Sequence, residues 1–132
     1  MKYLLDTNVL ISLYKNTHGI REKILDVGRT NCFISDITIG ELLVGAYKGR
    51  NKRQWNEVQM TKGLFVQIPV SQDVIERYAK ERVNLESLGC RIDDLDLLIG
   101  CTALQHGLTI ATHNRKHFER IPNIILEDWD ND

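Results

Sequence analysis

The sequence predicts an α/β protein in which a central, mainly parallel sheet of about five strands lies between two layers of helices. Short apolar strands alternate with helix-length segments along the whole chain, which is the pattern of parallel strands joined by helical crossovers. The chain has 132 residues, of which 42% are hydrophobic and 27% are charged. This length and composition predict one domain over residues 1–132, with no internal repeat.

The predicted strands are short, and each is followed by polar residues. They cover residues 2–5, 32–35, 65–70, 108–112 and 124–126. The first strand ends abruptly at Asp6. The third is stopped by Pro69 and by Ser71, whose side chain suits the N-cap of a helix.

Helical spacing of apolar residues predicts the segments between the strands. These helices cover residues 7–15, 20–27, 37–47, a segment that begins at 55, 74–88 and 93–106. Gly89 and Gly107 are the expected C-terminal stops of the last two. Lys48–Arg53 is expected to be a basic turn, and Trp129 to cover an edge of the sheet.

Charge and cysteine usage exclude several classes of protein. The formal net charge is -1, so no global positive field attracts nucleic acid and any RNA contact must be local. Three widely spaced cysteines suit neither a disulfide framework nor a metal knuckle, and we expect them to be reduced. No segment has the character of a signal peptide or a membrane span, which predicts a cytoplasmic protein.

Three acidic residues occupy unexpectedly apolar surroundings. Asp6 follows the first strand directly, Glu41 lies within ITIGELLVGAY, and Asp96 precedes LLIGCTAL. Ligands of parallel α/β sheets bind beyond the carboxyl ends of the strands. Unpaired acids that converge there repel one another unless a cation lies between them. Mg²⁺ or Mn²⁺ fits such oxygen ligands, whereas zinc is disfavoured because the site lacks a set of Cys and His ligands.

Each acid also has a simpler interpretation. Asp93 and Asp94 suit the first turn of a helix, with Asp93 as its N-cap and Asp96 as the N3 partner. Glu41 alone would suit an exposed helix face, and Asp6 alone would suit a turn. Their joint placement favours a metal-dependent site for phosphodiester hydrolysis.

Four segments in register resemble a known family. They are LLDTNVLI with Asp6, ISDITIGELLVG with Glu41, DLDLLIGCTAL with Asp96, and TIATHNRKHFERI. In order and spacing they are similar to the motifs of PIN-domain ribonucleases, and more narrowly to the VapC toxins of toxin–antitoxin pairs. The resemblance extends from Lys2 to Trp129.

The resemblance implies a PIN-like fold and an endoribonuclease that depends on Mg²⁺ or Mn²⁺. Asp6, Glu41 and Asp96 would hold the metal, and a bound water would attack phosphorus. Asn8 and Thr112 are expected to support these carboxylates. The resemblance also implies a cognate VapB-like antitoxin that covers the acidic pocket, a homodimer, and structured RNA, most often tRNA, as substrate.

The fourth segment departs from the family pattern, because many relatives carry a further acid where this chain has His117. Asn114 remains and is expected to orient a water in catalysis. His117 suits a contact with a phosphate or with a second metal, and an ordinary helix surface is the favoured alternative. We therefore expect one firmly bound ion and a second that is recruited only with RNA.

Local basic charge is expected to hold the RNA phosphates without reading sequence. The residues concerned are Lys48, Arg50, Lys52 and Arg53 near the predicted turn, and Arg115, Lys116 and His117 in the fourth segment. A solvated turn is the alternative for the first group. Tyr47 and Trp55 flank that turn, and their helical spacing favours packing in the core or at a dimer contact over stacking on a base.

Other functions fit less well. A haloacid-dehalogenase type of phosphotransferase requires a second Asp two residues after the first, where this chain has Asn8. A receiver domain requires an acceptor Asp at the end of the third strand, which here runs into Pro69. A catalytically silent PIN module, which binds RNA or a partner without cleaving, remains the alternative.

Overall fold

All strands of the described residues, 1–130, lie in one parallel sheet. The strands are β1 (Tyr3–Leu5), β2 (Cys32–Ser35), β3 (Val66–Ile68), β4 (Thr109–Thr112) and β5 (Leu126–Asp128) in this computed structural model. Their spatial order is β3-β2-β1-β4-β5, and every neighbouring pair is parallel. The predicted five-stranded parallel sheet is confirmed. The last two positions of the expected 1–132 domain lie outside the described residues.

Helices cover both faces of this sheet. They are α1 (Thr7–Lys15), α2 (Ile20–Val27), α3 (Asp36–Gly49), α4 (Lys52–Leu64), α5 (Gln72–Ser87) and α6 (Asp94–His106). Leu5 packs in a core with residues of α1 to α4, and its neighbour Leu4 packs in a second core with residues of α5 and α6. Because successive strand residues point to opposite faces, these two cores confirm the predicted three-layer architecture.

The direction of chain progression through the sheet reverses next to β1. The chain first proceeds from β1 to β2 and β3, and then crosses to the other side of β1 to form β4 and β5. The pairing of β1 with β4 continues past the strand, since the Asp6 N–H donates to the Ala111 carbonyl at 3.0 Å. A crevice beyond the carboxyl ends of these two strands is therefore the expected binding site.

The hairpin of α3 and α4 differs from the predicted basic turn over Lys48–Arg53. Helix α3 continues to Gly49 and α4 begins at Lys52, so only Arg50 and Asn51 connect them. Arg50 ends α3 in the left-handed conformation with φ of 46°, and the Asn51 side chain accepts from the Arg53 N–H. These two caps replace a longer loop.

Of the two expectations for the aromatic rings beside this connection, packing in the core is wrong, and packing at a dimer contact stays a prediction. Tyr47 is 66% exposed and Trp55 is 39% exposed. The rings contact each other, with centroids 5.6 Å apart. Helical spacing identifies residues on one face but does not show that another element covers that face.

The fifth strand lies later in the chain than the predicted segment 124–126. It covers Leu126–Asp128 and pairs with β4 from Ile110↔Leu126 onwards. The prediction followed the apolar residues. An edge strand pairs on one side only and tolerates acidic side chains, and here Glu127 accepts hydrogen bonds from the Tyr3 hydroxyl and the Trp129 indole.

Other sequence expectations concern membrane spans and cysteines. Within residues 1–130, no helix combines the length and apolar character that crossing a bilayer requires. Cys32, Cys90 and Cys101 are free thiols, as predicted. Burial raises the pKa of Cys32 and of Cys101 to about 11, so both stay protonated at neutral pH.

Replacing Trp129 should be the costlier of the two possible tryptophan truncations. Trp129 is fully buried beside the Tyr3 ring in the core on one face of the sheet. Its backbone N–H donates to the Thr112 carbonyl, which extends the pairing of β5 with β4. We expect Trp129→Ala to lower the free energy of unfolding by about 3–5 kcal/mol. Trp55→Ala should lower it by about 1 kcal/mol or less. Urea denaturation of both variants measures the difference, and equal losses would contradict this role of Trp129.

Candidate active site

Asp6 lies at the centre of the crevice, where β1 ends and α1 begins. It is 4% exposed and is the N-cap of α1. Its Oδ1 accepts from the Thr7 N–H at 2.8 Å, and its Oδ2 accepts from the Thr112 hydroxyl at 3.0 Å. Burial raises the pKa of Asp6, and these two hydrogen bonds oppose the rise. The carboxylate is thus held in one orientation but remains costly to ionise.

Glu41 reaches the same crevice from α3. Its Oε1 accepts a hydrogen bond of 2.7 Å from the hydroxyl of Thr7. Burial raises the pKa of Glu41, the Thr7 hydroxyl opposes the rise, and the charge of Asp6 adds to it. Thr7 therefore holds two acids through different atoms, with its backbone N–H on Asp6 and its side chain on Glu41.

Asp96 is the third acid and lies in the first turn of α6. Asp93 caps this helix by accepting from the Leu95 N–H, so the predicted capping role of Asp93 is confirmed. Burial raises the pKa of Asp96 to about 6. The negative charges of Asp6 and Glu41 add to the rise, which shows that the three carboxylates interact electrostatically.

Asp94 lies outside this group, although it neighbours Asp96 in sequence. It accepts from the Tyr78 hydroxyl at 2.8 Å and forms an ion pair of 2.5 Å with Arg82. The hydrogen bond from Tyr78 and the nearby Arg82 lower the pKa of Asp94. Its carboxylate is therefore ionised and paired.

The segment after β4 connects the acids. The Thr112 hydroxyl donates to Asp6 and accepts from the Asn114 N–H at 2.9 Å. The Asn114 side-chain amide lies 3.0 Å from Nε2 of His117, whose Nδ1 is 3.7 Å from Oδ2 of Asp96. His117 thus lies beside Asp96 and not on a surface remote from the acids.

Within the described part of the chain, the three acids have no lysine or arginine as a partner. Across residues 1–130, neither Asp6, Glu41 nor Asp96 forms an ion pair with a lysine or an arginine, and His117 is the basic side chain in contact with Asp96. No group of three or more His, Cys, Asp or Glu side chains in that part of the chain is arranged to hold a metal directly. The carboxylate oxygens still suit a hard cation, since Mg²⁺ usually binds one or two carboxylates and retains several waters.

The other residues proposed from the sequence have exposed side chains, and Arg53 also lines a cavity that contains two residues of the site. Asn8 is exposed in the first turn of α1. Lys48, Arg50 and Lys52 are exposed at the α3–α4 connection, and Arg115 and Lys116 are exposed in a short 3₁₀ turn after β4. Arg53 lines a cavity of about 330 Å³ that also contains Thr7 and Glu41.

Sequence reasoning did not identify Thr7 and Lys15 as residues of the site. Thr7 links Asp6 to Glu41, and Lys15 lines the same cavity as Arg53. A hydroxyl directly after Asp6 was the available signal for Thr7. Lys15 has no such signal, because its position depends on how α1 packs against α3 and α4.

Comparison with known proteins identifies the family. A model of the PIN domain matches residues 3–124. Ribonuclease VapC2 of Rickettsia felis is 33% identical over 133 residues, which cover 98% of this chain and 99% of the relative. The tRNA(fMet)-specific endonuclease VapC of Salmonella typhimurium is 32% identical, with 98% of each chain covered.

Solved structures agree with this assignment. VapBC2 from Rickettsia felis, bound to a DNA fragment from its promoter, contains a chain with a TM-score of 0.89 and 30% identity, and the match covers 98% of this chain and 100% of that one. DNA-bound VapBC from Salmonella typhimurium gives a TM-score of 0.88 at 28% identity, with 98% of each chain covered. Since both the family model and the relatives match nearly the whole chain, the protein belongs to the PIN-domain family, within its VapC group of ribonucleases.

Proposed function

We propose that this protein is a Mg²⁺- or Mn²⁺-dependent endoribonuclease and the toxin of a toxin–antitoxin pair. The observation that carries the proposal is the convergence of Asp6, Glu41 and Asp96 at the point where strand order reverses. Each has a raised pKa, and none within residues 1–130 pairs with a lysine or arginine. Enzymes that hydrolyse phosphodiesters commonly use a divalent metal ion bound by carboxylates.

The contacts of the site suggest a role for each of its residues in the proposed reaction. Asp6, Glu41 and Asp96 would hold the ion, which supplies Lewis-acid activation of the phosphodiester and of water when bound. Thr112 and Thr7 fix the two oxygens of Asp6 by hydrogen bonds. The Asn114 amide would orient the attacking water, with His117 holding that amide at 3.0 Å. Since His117 stands where relatives carry another acid, one ion would bind firmly and a second only together with RNA.

The relatives suggest the finer biology. Because the Salmonella typhimurium relative is named as specific for tRNA(fMet), we propose tRNA or another structured RNA as substrate. Several neighbours are VapBC complexes, which supports a cognate VapB-like antitoxin that covers the acidic crevice. Homodimer formation and a cytoplasmic location are part of the same proposal. Phosphate contacts would come from Lys48, Arg50, Lys52 and Arg53 and from Arg115, Lys116 and His117.

A catalytically silent PIN module is the second candidate. One observation favours it, namely the absence, within residues 1–130, of three groups already arranged around one metal position. The resemblance to the family adds a second reason, because it implies an acid at the position where this chain has His117. Such a module would bind RNA in Mg²⁺ or Mn²⁺ without cutting it. Cleavage of purified tRNA by the antitoxin-free protein separates the two candidates.

Removing either of two carboxylates should abolish cleavage while the fold survives. We expect Asp6→Asn and Asp96→Asn to lower the rate of tRNA cleavage at least about a hundredfold, because each would remove a metal ligand. Asn still suits the N-cap of α1. Asp94→Asn on the same helix as Asp96 is the matched control and should cut at nearly the wild-type rate. Gel-based cleavage with circular dichroism measures both properties, and full activity of Asp6→Asn would exclude this metal site.

The hydroxyl of Thr112 should be needed to position Asp6. We expect Thr112→Val to weaken Mn²⁺ binding and cleavage by about 10- to 100-fold, as loss of a hydrogen bond to a metal ligand commonly does. Thr102→Val is a matched control, since Thr102 is equally buried but its hydroxyl donates to the Leu98 carbonyl within α6. Calorimetric titration with Mn²⁺ measures the affinity. Equal affinity in both variants would show that Thr112 has no role in the site.

The ion-free protein should lose stability as pH rises. Folding raises the pKa of Asp6, Glu41 and Asp96, the last to about 6. Their contribution is therefore fully favourable below the unfolded pKa values near 4 and is lost as pH rises through the folded values. Millimolar Mn²⁺ should raise the melting temperature strongly at about pH 8 and weakly at about pH 4.5. Thermal melts test this, and an Mn²⁺ effect equal at both pH values would contradict binding by these acids.

A further inference from the structure

The tip of the α3–α4 hairpin exposes two aromatic rings on one surface. Tyr47 is 66% exposed and Trp55 is 39% exposed, and their ring centroids are 5.6 Å apart at an interplanar angle of 51°. Neither ring belongs to the two buried cores. Exposed tyrosine and tryptophan are typical of binding surfaces, because they contribute large apolar area with little loss of conformational entropy.

A surface hollow of about 350 Å³ lies beside these rings. Its lining residues are Ala46, Tyr47, Arg50, Asn51, Lys52 and Trp55. The surface of the hollow is mainly apolar, and among residues 1–130 no acidic side chain lines it. Arg50 and Lys52 lie between the two aromatic residues in sequence, and their charged ends are exposed beside the hollow. An apolar ring system fits the hollow itself, and a phosphate attached to the ring would fit the basic side chains around it.

The backbone around the hollow is held in place by the caps of the two helices. Arg50 adopts a left-handed conformation and its N–H donates to the Tyr47 carbonyl at 3.3 Å. Asn51 accepts from the Arg53 N–H at 2.8 Å and so begins α4. The backbone that carries the rings and the charges is therefore held before any ligand binds, which reduces the backbone entropy lost on binding.

The charges around the hollow favour an anionic ligand over a second copy of the chain. Lys48, Arg50, Lys52 and Arg53 are exposed, and none forms an ion pair within residues 1–130. A twofold contact through this surface would bring two such clusters of like charge together. RNA phosphates would instead neutralise them.

The hollow also lies beside the cavity that contains Glu41 and Thr7. Ala46 lines both the hollow and the cavity of about 330 Å³ that contains Glu41 and Thr7. Arg53 lies in that cavity, directly after the residues that line the hollow. RNA seated on the rings would lie next to this cavity, where Lys15 and Arg53 offer positive charge on the way to Glu41, and Glu57 lines the same cavity.

We propose that Tyr47 and Trp55 form a stacking site for an unpaired nucleotide of the RNA, with its flanking phosphates on Arg50, Lys52 and Arg53. The assignment of the bound RNA as substrate rests on the proposed function, whereas the binding itself does not. Stacking on aromatic side chains is how proteins commonly hold unpaired bases. The site would therefore select RNA with an accessible single-stranded segment next to the cleaved bond.

Binding of a short oligouridine of about six nucleotides, in EDTA, tests the proposal without cleavage. We expect the RNA to quench the fluorescence of Trp55, and an abasic ribose–phosphate chain of equal length to quench it much less. Trp129 is fully buried and supplies a constant background. By polarisation of labelled RNA, Trp55→Ala and Tyr47→Ala should each weaken binding about tenfold, and Trp55→Phe should stay within about threefold because it retains a ring.

Controls separate stacking from charge and from a general surface effect. Leu88→Ala removes an equally exposed apolar side chain (65%) at the end of α5 and should leave RNA affinity unchanged. Lys52→Gln with Arg53→Gln should weaken both the RNA and the abasic chain and should lower the salt dependence by about 0.7 per charge removed. The same pair of changes at Arg21 and Lys80, which are exposed on α2 and α5, should have little effect.

Two results would overturn the proposal. One is wild-type oligouridine affinity in both Trp55→Ala and Tyr47→Ala. The other is unchanged RNA affinity with loss of self-association of Trp55→Ala in sedimentation velocity, which would make this surface a contact between copies. RNA binding that depends on Trp55 without any tRNA cleavage in Mn²⁺ would count against the nuclease function alone. Cleavage with no dependence of binding on either ring would count against the stacking site alone.

Discussion

The burial of like charges at one end of the sheet is the constraint on which the site depends. Asp6 cannot move away from the crevice, because its backbone N–H continues the pairing with β4 and its side chain caps α1. Glu41 and Asp96 are brought beside it by α3 and α6, which lie on opposite faces of the sheet. Burial of an ionised carboxylate without a cationic partner costs several kcal/mol or shifts its pKa. The fold therefore stores an unfavourable interaction that a divalent cation would relieve.

The fold was largely predictable from the sequence because each strand is followed by a segment of helical spacing. That alternation specifies the parallel sheet and its two helical layers without knowledge of contacts. The ends of strands and helices were less predictable where the type of side chain favours one structure and the backbone adopts another. The last strand contains Glu127 and Asp128 because an edge position leaves room for charge. The α3–α4 connection is short because Arg50 adopts a left-handed conformation. Arginine rarely has a positive φ, so the residue type did not predict this conformation.

The site was predictable only as far as local position determines it. Asp6 directly follows a strand, so its place beyond the carboxyl ends of the strands follows from the fold class. The link from Thr7 to Glu41 and the contact of His117 with Asp96 join segments that are far apart in the chain. These contacts depend on how each crossover packs, and no pattern within one segment contains that information. The sequence left packing of Tyr47 and Trp55 in the core or at a dimer contact undecided for the same reason, since spacing alone does not show what covers a helix face.

The distribution of charge explains how a chain with net charge -1 can serve a polyanion. Acids occupy the crevice, where burial raises the pKa of Asp6, Glu41 and Asp96, and bases occupy the exposed end of the α3–α4 hairpin. Without a cation the crevice repels phosphate, whereas the basic surface attracts it at any metal concentration. If the proposed function holds, attachment of RNA and entry of its backbone among the acids would be governed by different groups. Metal would then control the second step far more than the first, and a base held by the hairpin would bring phosphate to the crevice before the ion completes the site.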